Sequence, residues 1–124
     1  VDVDHSKEFN DTYGHDVGDE VLRSVARTMV MNSRPFDLYG RWGGEEFLGI
    51  IRNVAPSDLG LLGNRLRTLV ESSYLATEGK SLTVTVSIGA ASARKGDSAA
   101  NVVKRADDLL YASKNAGRNR LTLG

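Results

Sequence analysis

Two glycines followed by two glutamates form the segment of this chain best suited to chemistry. Gly43-Gly44-Glu45-Glu46 lies between residues 38–41 and 47–51, whose composition is typical of short strands, so the acids are predicted at a hairpin tip. Glycine can adopt positive φ and lets a phosphate approach the main chain, and carboxylates can hold the divalent cation that neutralises it. The turn therefore suits metal-bound phosphate, with an ordinary solvated turn as the alternative.

A second pair of carboxylates opens the chain. Asp2 and Asp4 alternate with valines, as on one face of a strand end. Mg²⁺ prefers a few carboxylates plus water and substrate phosphates, and two strand ends bearing acids can share metals for in-line displacement at phosphorus. A calcium-binding EF-hand loop counted from Asp2 is excluded, because Lys7 and Tyr13 stand where it requires Gly and Glu.

Composition sets the outer limits. A chain of 124 residues with 40% hydrophobic content can bury one core, so residues 1–124 are expected to form a single domain. The 16 basic and 16 acidic residues cancel, which gives no overall field to attract nucleic acid. The absence of cysteine excludes disulfides and thiol chemistry and fits a reducing compartment. No apolar run approaches the roughly 20 residues that span a bilayer and no signal-peptide pattern opens the chain, so we expect a cytoplasmic domain.

The hydrophobic patterns predict alternating strands and helices. A strand at residues 1–3 and a polar loop to Gly14 are followed by a helix at 16–31, the hairpin and a helix from Pro56. A strand at 82–88 comes next, and Gly89 marks its end or a bulge. The last elements are a helix capped by Ser98 and stopped by Gly117 and an edge strand at 121–123. This order is the βαββαβ arrangement of an α+β fold, an antiparallel-rich sheet with helices on one side. It brings Asp2 and Glu45 to one end of the sheet, as in nucleotide-polymerising palm domains.

Several motifs in order then match one family. They are GGEEF at 43–47, DVDH at 2–5, NDTYGHDVGD at 10–19, TVSIG at 85–89, RAD at 105–107 and YASKNAGRN at 111–119. Together they closely resemble GGDEF domains, the bacterial diguanylate cyclases, over nearly the whole chain. The resemblance implies a palm-like fold of the nucleotidyl cyclase type. It also implies condensation of two GTP into cyclic di-GMP and two pyrophosphates, one GTP being held by each half of an antiparallel homodimer.

The same resemblance implies a magnesium site, with Mn²⁺ as an alternative metal. Asp2, the Val3 carbonyl and Glu45 would hold the metal, and Glu46 would be a further ligand. Glu45 would also help activate the attacking hydroxyl, since metals lower a hydroxyl's pKa and a nearby carboxylate can accept its proton. Lys7 is implied as a second catalytic residue, acting on the phosphates.

Substrate-binding residues follow from the same match. Asn10 and Asp19 would hydrogen-bond guanine, His15 would lie beside the substrate, and Gly43 would leave room for base and ribose. Lys114 and Arg118 would join Lys7 on the phosphates. Four of these residues have an alternative role that involves no substrate. Asn10 could stabilise a turn, Asp19 could be an acid in the first turn of a helix, and Lys114 and Arg118 could be ordinary charges at a helix C-terminus. A zinc site at His5 and His15 is disfavoured, because neither has a paired cysteine or a second close histidine.

An inhibitory site for the product is implied by Arg34-x-x-Asp37, with Arg65 on the following helix as a further product-binding arginine. The alternative is a surface Arg–Asp ion pair of little energetic worth. Two residues depart from the family pattern: Ser6 stands where Phe is common, and Trp42 replaces Tyr or Phe.

Family members also have a helix and most of the first strand before the position of Asp2. We therefore expect a fragment of a longer protein, truncated at its N-terminus, whose missing parts include fused sensory or transmembrane domains. A second function stays open, a non-catalytic sensor of GTP or cyclic di-GMP that regulates attached domains. A cyclase acting on ATP is a third, which Asn10 and Asp19 disfavour.

Overall fold

The computed structural model describes residues 1–77 and 79–124 and alternates strands with helices. Its elements are β1 (Asp2–Val3), α1 (Ser6–Tyr13), α2 (His15–Met31), β2 (Leu38–Gly43), β3 (Glu46–Ile50), α3 (Pro56–Ser72), β4 (Leu75–Thr77), β5 (Lys80–Leu82), β6 (Val86–Ala90), α4 (Ala99–Asn115) and β7 (Leu121–Leu123). No helix in the described ranges is long and apolar enough to cross a membrane.

A five-stranded sheet of order β2-β3-β1-β6-β7 carries the fold. Its pairs are antiparallel except β6 with β7, which run parallel. The short β1 is the central strand, and Asp2 pairs with Glu46 of β3 on one side and Ser87 of β6 on the other. The α+β class and the antiparallel-rich sheet are therefore confirmed, and the central strand places Asp2 beside the glycine-glutamate hairpin.

The apolar core lies on one face of this sheet. Val3, Val86 and Ile88 are buried there against the inner faces of two helices. Those helices contribute residues at helical spacing, Val21, Val25 and Met29 from α2 and Leu66 and Val70 from α3.

The opposite face is covered by α4, so the prediction of helices on one side only is wrong. Gly89 follows Ile88 in β6 and therefore faces the other way. A Cβ on Gly89 would lie 2.2 Å from the Ala106 carbonyl oxygen and the Leu110 amide nitrogen, both backbone atoms of α4. The buried Ser113 hydroxyl of α4 also donates to the Ile88 carbonyl at 2.8 Å.

Residues 6–13 were predicted as a polar loop and instead form α1. His5 has φ 57 and turns the chain from β1 into the helix. The rings of Phe9 and Tyr13, one turn apart, lie 4.7 Å from centroid to centroid. The Asn10 side chain fills the space beside Gly18 of α2, where a Cβ would lie 1.7 Å from Asn10 Oδ1. Packing against α2 thus stabilises a segment whose polar composition signals a loop.

The predicted strand at 82–88 is divided. Leu82 belongs to β5, which forms a small hairpin with β4, and the central sheet resumes only at Val86. Gly89 lies inside β6 and pairs with Thr122, so it neither ends nor bulges the strand. The Ser98 cap is confirmed, because its hydroxyl accepts from the Asn101 amide at 3.1 Å, and so is the edge strand β7.

The contact between β6 and α4 makes Gly89 a test of this packing. We expect Gly89→Ala to lower the free energy of unfolding by about 3 kcal/mol, the upper range of overpacking, because the new methyl meets backbone that cannot rotate away. Gly40→Ala is the matched control in β2, where a Cβ would meet nothing within 4 Å. Urea denaturation measures both, and equal stability of the two variants would contradict the close approach of α4.

Candidate active site

The turn between β2 and β3 presents two open glycines and two acids. Gly43 pairs with Glu46 across a register shift that follows Arg41. The Arg41 guanidinium donates to the Gly44 carbonyl at 3.0 and 2.7 Å and so fixes the turn. Neither glycine uses positive φ, which the sequence had allowed for. A Cβ on either would meet nothing within 4 Å, so the glycines leave an uncovered stretch of backbone at the hairpin tip.

The central strand holds a buried carboxylate beside this turn. Asp2 is 2% exposed, and the amide of the next residue, Val3, donates to the Glu45 carbonyl at 3.1 Å. Asp2 Oδ1 is buried without a hydrogen-bond partner among the described residues. Asp2 Oδ2 forms an ion pair with Lys114 from the last turn of α4. Strand β1 thus pairs through its backbone with both hairpin acids and holds a buried carboxylate that is paired with a lysine.

The charges of this cluster shift each other's proton affinity. Burial raises the pKa of Asp2, and the nearby Glu45 and Glu46 add to that rise while Lys114 opposes it. Burial works to lower the pKa of Lys114, but the hydrogen bond that Lys114 donates to Asp2 and the negative charges of Asp2, Glu46 and Glu45 together outweigh it, so the pKa of Lys114 is raised. The carboxylates of Asp2, Glu45 and Glu46 carry more negative charge than the single ammonium of Lys114 can neutralise. This excess favours a bound cation.

The donor set fits a hard divalent cation. Asp2, the Val3 carbonyl, Glu45 and Glu46 offer only oxygen, the ligand that Mg²⁺ prefers, and the unpartnered Asp2 Oδ1 supplies a free acceptor. Across residues 1–77 and 79–124, no three acidic or histidine side chains come together as a metal cage. Mg²⁺ usually takes only one or two carboxylates and completes its shell with water and substrate phosphates, so the partial set is compatible with it.

A surface cavity of about 340 Å³ adjoins the hairpin on the α2 side. Asp19 and Arg23 of α2 and Tyr39, Arg41 and Phe47 of the hairpin are among its lining residues. Asn10 packs on Gly18, the residue before Asp19. Of the two side chains predicted to bind one base, Asp19 therefore lines the cavity, and Asn10 packs one residue away from it. The volume of the cavity lies in the range of small-ligand sites.

Three other predicted substrate residues are exposed side chains. Lys7 is exposed on α1, His15 is exposed at the start of α2, and Arg118 is exposed after α4 with φ 64. Glu45 is exposed at the hairpin tip and Glu46 is half-buried. Of the predicted metal and phosphate residues, the structure joins Asp2, Val3, Glu45, Glu46 and Lys114 by contact or strand pairing.

The predicted inhibitory pair is built separately, between α2 and β2. The Arg34 amide and guanidinium donate to Asp37 at 2.9 and 3.2 Å, and Arg34 Nη2 also donates to the Arg52 carbonyl at 2.5 Å. Burial works to raise the pKa of Asp37, but the hydrogen bonds and charge of Arg34, together with a backbone hydrogen bond from Arg52, outweigh it and the pKa is lowered. Arg65 is exposed on α3, and no contact among the described residues joins it to this pair.

The sequence reasoning missed a hydrogen-bond centre at Asp4. Its carboxylate accepts from Thr85, Ser87 and the Asn119 amide, so it is tied up inside the fold and is not a free metal ligand. Thr85 and Ser87 alternate along the chain, a pattern that could have indicated a polar strand face opposite the two aspartates.

Comparisons with known proteins agree with this arrangement. The family model for "Diguanylate cyclase, GGDEF domain" matches residues 1–120. Diguanylate cyclase A of Treponema denticola is 43% identical over 124 residues, which is 99% of this chain and 33% of that protein. The response regulator PleD of Caulobacter vibrioides is 43% identical over 122 residues, 96% of this chain and 27% of that protein. The chain therefore spans a third or less of these relatives.

Solved structures share the fold. The GGDEF domain of DgcB from Caulobacter crescentus, in complex with c-di-GMP, superposes with a TM-score of 0.92 at 41% identity, covering 98% of this chain and 72% of that one. Diguanylate cyclase SiaD from Pseudomonas aeruginosa, in complex with its activator SiaC, gives a TM-score of 0.95 at 40% identity, covering 99% of this chain and 47% of that one. The chain belongs to the GGDEF domain family, whose members are enzymes of the nucleotidyl cyclase type. The resemblance seen in the motifs is confirmed.

Proposed function

We propose that this domain condenses two GTP molecules into cyclic di-GMP, releasing two pyrophosphates, in a Mg²⁺-dependent reaction. The observation that carries the proposal is the buried Asp2, with one unpartnered oxygen, placed by β1 against the open glycine-glutamate turn. The names of the relatives support the same chemistry, since Diguanylate cyclase A and DosC of Escherichia coli both align over 99% of this chain.

Asp2, the Val3 carbonyl, Glu45 and Glu46 would hold Mg²⁺, and Mn²⁺ would serve the same oxygen ligands. When bound, the metal neutralises phosphate charge and acidifies a nearby hydroxyl. The exposed Glu45 carboxylate accepts the proton of the 3′-hydroxyl as its oxygen attacks the α-phosphorus of the other nucleotide. The bond to pyrophosphate breaks in the same displacement, so each new phosphodiester releases one leaving group.

Three cations are available to hold the triphosphate. Lys7 reaches it from α1, Lys114 from α4 and Arg118 from the turn after α4. Lys and Arg stabilise phosphate charge in different ways, the first as a point charge and the second as a planar fork. Lys114 already neutralises Asp2, so in the proposed complex it lies between the metal ligand and the phosphates.

Guanine is the base that the remaining residues suit. Asn10 and Asp19 offer an amide and a carboxylate to its carbonyl and amino edges, a pattern that adenine does not present. Gly43 leaves its side of the site open to base and ribose, and His15 lies at the start of the helix that carries Asp19. The pair Asn10 and Asp19 favours GTP over ATP.

Catalysis requires a second copy of the domain. One site holds one GTP, and each 3′-hydroxyl must meet the α-phosphate of the other, so two copies must face each other as an antiparallel homodimer. We also propose that the chain is the catalytic part of a longer protein with fused sensory or transmembrane domains, because it spans a third or less of its relatives. Since GTP is a cytoplasmic nucleotide, the domain would act in the cytoplasm.

Glu45→Gln tests the catalytic claim, with the full-length protein supplied with GTP and Mg²⁺. We expect cyclic di-GMP formation to fall at least about 100-fold, because the variant loses both a metal ligand and the proton acceptor. Glu20→Gln is the matched control, since it removes an exposed glutamate that pairs with Arg23 on α2. Chromatographic measurement of cyclic di-GMP decides the result.

Two outcomes would contradict the enzyme. Undiminished synthesis of cyclic di-GMP by the Glu45→Gln variant would show that Glu45 is not a catalytic residue. A folded, unaltered protein that binds GTP or cyclic di-GMP but forms no product would leave the sensor function, which the serine at position 6 favours over catalysis.

Product inhibition is the second part of the proposal. Arg34 and Asp37, with Arg65 of α3, would bind cyclic di-GMP outside the catalytic cluster. We expect Arg34→Ala to raise the concentration of cyclic di-GMP needed for half-inhibition at least about tenfold, since a charged hydrogen-bonding group is worth roughly 1.5–3 kcal/mol. Arg27→Ala, an exposed arginine of α2, is the control. Inhibition that is unchanged in Arg34→Ala would place the inhibitory site elsewhere.

A further inference from the structure

The Asp4 carboxylate joins three separate segments inside the fold. It is 5% exposed and accepts from the Ser87 hydroxyl at 2.6 Å, the Thr85 hydroxyl at 2.7 Å and the Asn119 amide at 3.0 Å. Its own amide donates to the Thr85 carbonyl at 2.9 Å. Asp4 thus fixes the end of β1 to the residues leading into β6 and to the turn after α4.

That turn holds a costly backbone conformation. Arg118 has φ 64 and Asn119 has φ 45, two successive residues other than glycine in the left-handed region. Each such residue is strained by about 1 kcal/mol or more, and the conformation persists only where surrounding contacts enforce it. Asn119 tolerates this region better than most residues do.

The contacts that enforce it come from two sides. Asp4 binds the Asn119 amide, and the Asn119 side chain is held by α3, where Arg67 Nη1 donates to its Oδ1 at 2.9 Å and Glu71 accepts from its Nδ2. The Arg120 guanidinium donates to the Arg118 carbonyl at 3.1 Å. Asn119 is therefore anchored through both its main chain and its side chain, while the Arg118 side chain next to it remains exposed.

The position of Asp4 in the chain suggests a function for its hydrogen bond with the Asn119 amide. Asp2, the proposed metal ligand, precedes Asp4 by two residues, and Arg118, a proposed phosphate ligand, directly precedes Asn119. One short segment therefore carries the metal ligand and also fixes the turn that presents the arginine. A carboxylate that served stability alone could be replaced by a less costly neutral acceptor, because all three of its donors are uncharged.

We propose that Asp4 and Asn119 are positioning residues, which set Arg118 at a defined place relative to Asp2 so that the triphosphate meets both. The proposal rests on the proposed function. It predicts that breaking the link weakens recognition of the β- and γ-phosphates and leaves recognition of guanine intact, since Asn10 and Asp19 lie on α1 and α2.

The test compares the affinities of the full-length protein for an α-thio GTP analogue and for GMP, by calorimetry with Mg²⁺ present. We expect Asp4→Asn to weaken binding of the analogue about tenfold, because the Arg118 guanidinium would lose its charge-assisted contact with the β- and γ-phosphates. Binding of GMP, which lacks those phosphates, should weaken less than about twofold. Asp97→Asn is the matched control, because Asp97, in the loop before α4, also accepts from an amide and from the Arg105 guanidinium of α4 but lies outside the proposed site. It should change neither affinity.

A second variant protects the test against misfolding. Asn119→Gly keeps the left-handed turn accessible but removes the side-chain anchor to α3, and it should show the same selective loss. Equal weakening of both ligands in the two variants, or no weakening in either, would overturn the positioning role while leaving the cyclase intact. If the unaltered protein binds neither ligand, the proposed function fails and the positioning role fails with it.

Discussion

The two residues of β1 impose the constraint on which the site depends. They lie at the centre of the sheet, so their backbone must satisfy β3 on one side and β6 on the other. This double pairing leaves Asp2 no freedom to move to solvent, and it buries a carboxylate next to a turn that carries two more. A buried, partly unsatisfied acid is expensive, and such groups concentrate where a protein binds charged ligands.

Lys114 shows how the fold tolerates that cost. The lysine comes from α4, on the sheet face opposite the main core, and its ammonium neutralises part of the Asp2 charge. The close approach of α4 is possible because Gly89 has no side chain to hold the helix away from β6. Packing at Gly89 and the charge interaction at Asp2 are thus linked, because the close packing of α4 on β6 brings the Lys114 ammonium to the Asp2 carboxylate.

Much of this could be predicted from residues alone. The glycine-glutamate turn and the aspartates predicted the position of the candidate site, because acids at the ends of short strands can be recognised from neighbouring residues alone. Helix α1 could not be predicted, since its stability comes from Asn10 packing into the space beside Gly18 and not from its own propensity. Gly89 reads locally as a strand terminator, and only the position of α4 shows why the strand continues through it.

The role of Asp4 was hidden for a similar reason. Its partners Thr85, Ser87 and Asn119 lie at least 81 residues away in the chain, so the residues around Asp4 in the sequence do not identify them. Asp2 and Asp4 look equivalent in the sequence, as two acids on one strand face. Tertiary structure separates them, leaving one with a free oxygen and the other fully hydrogen-bonded.

The most direct test of the account is to locate the metal. Crystals of the protein grown with Mn²⁺ and an α-thio GTP analogue, measured at the manganese absorption edge, would show the ion by anomalous scattering. The account predicts manganese in contact with the carboxylates of Asp2 and Glu45 and with the phosphates of the analogue. Manganese bound elsewhere, or a bound nucleotide with Lys114 still paired to Asp2 and no metal beside them, would contradict it.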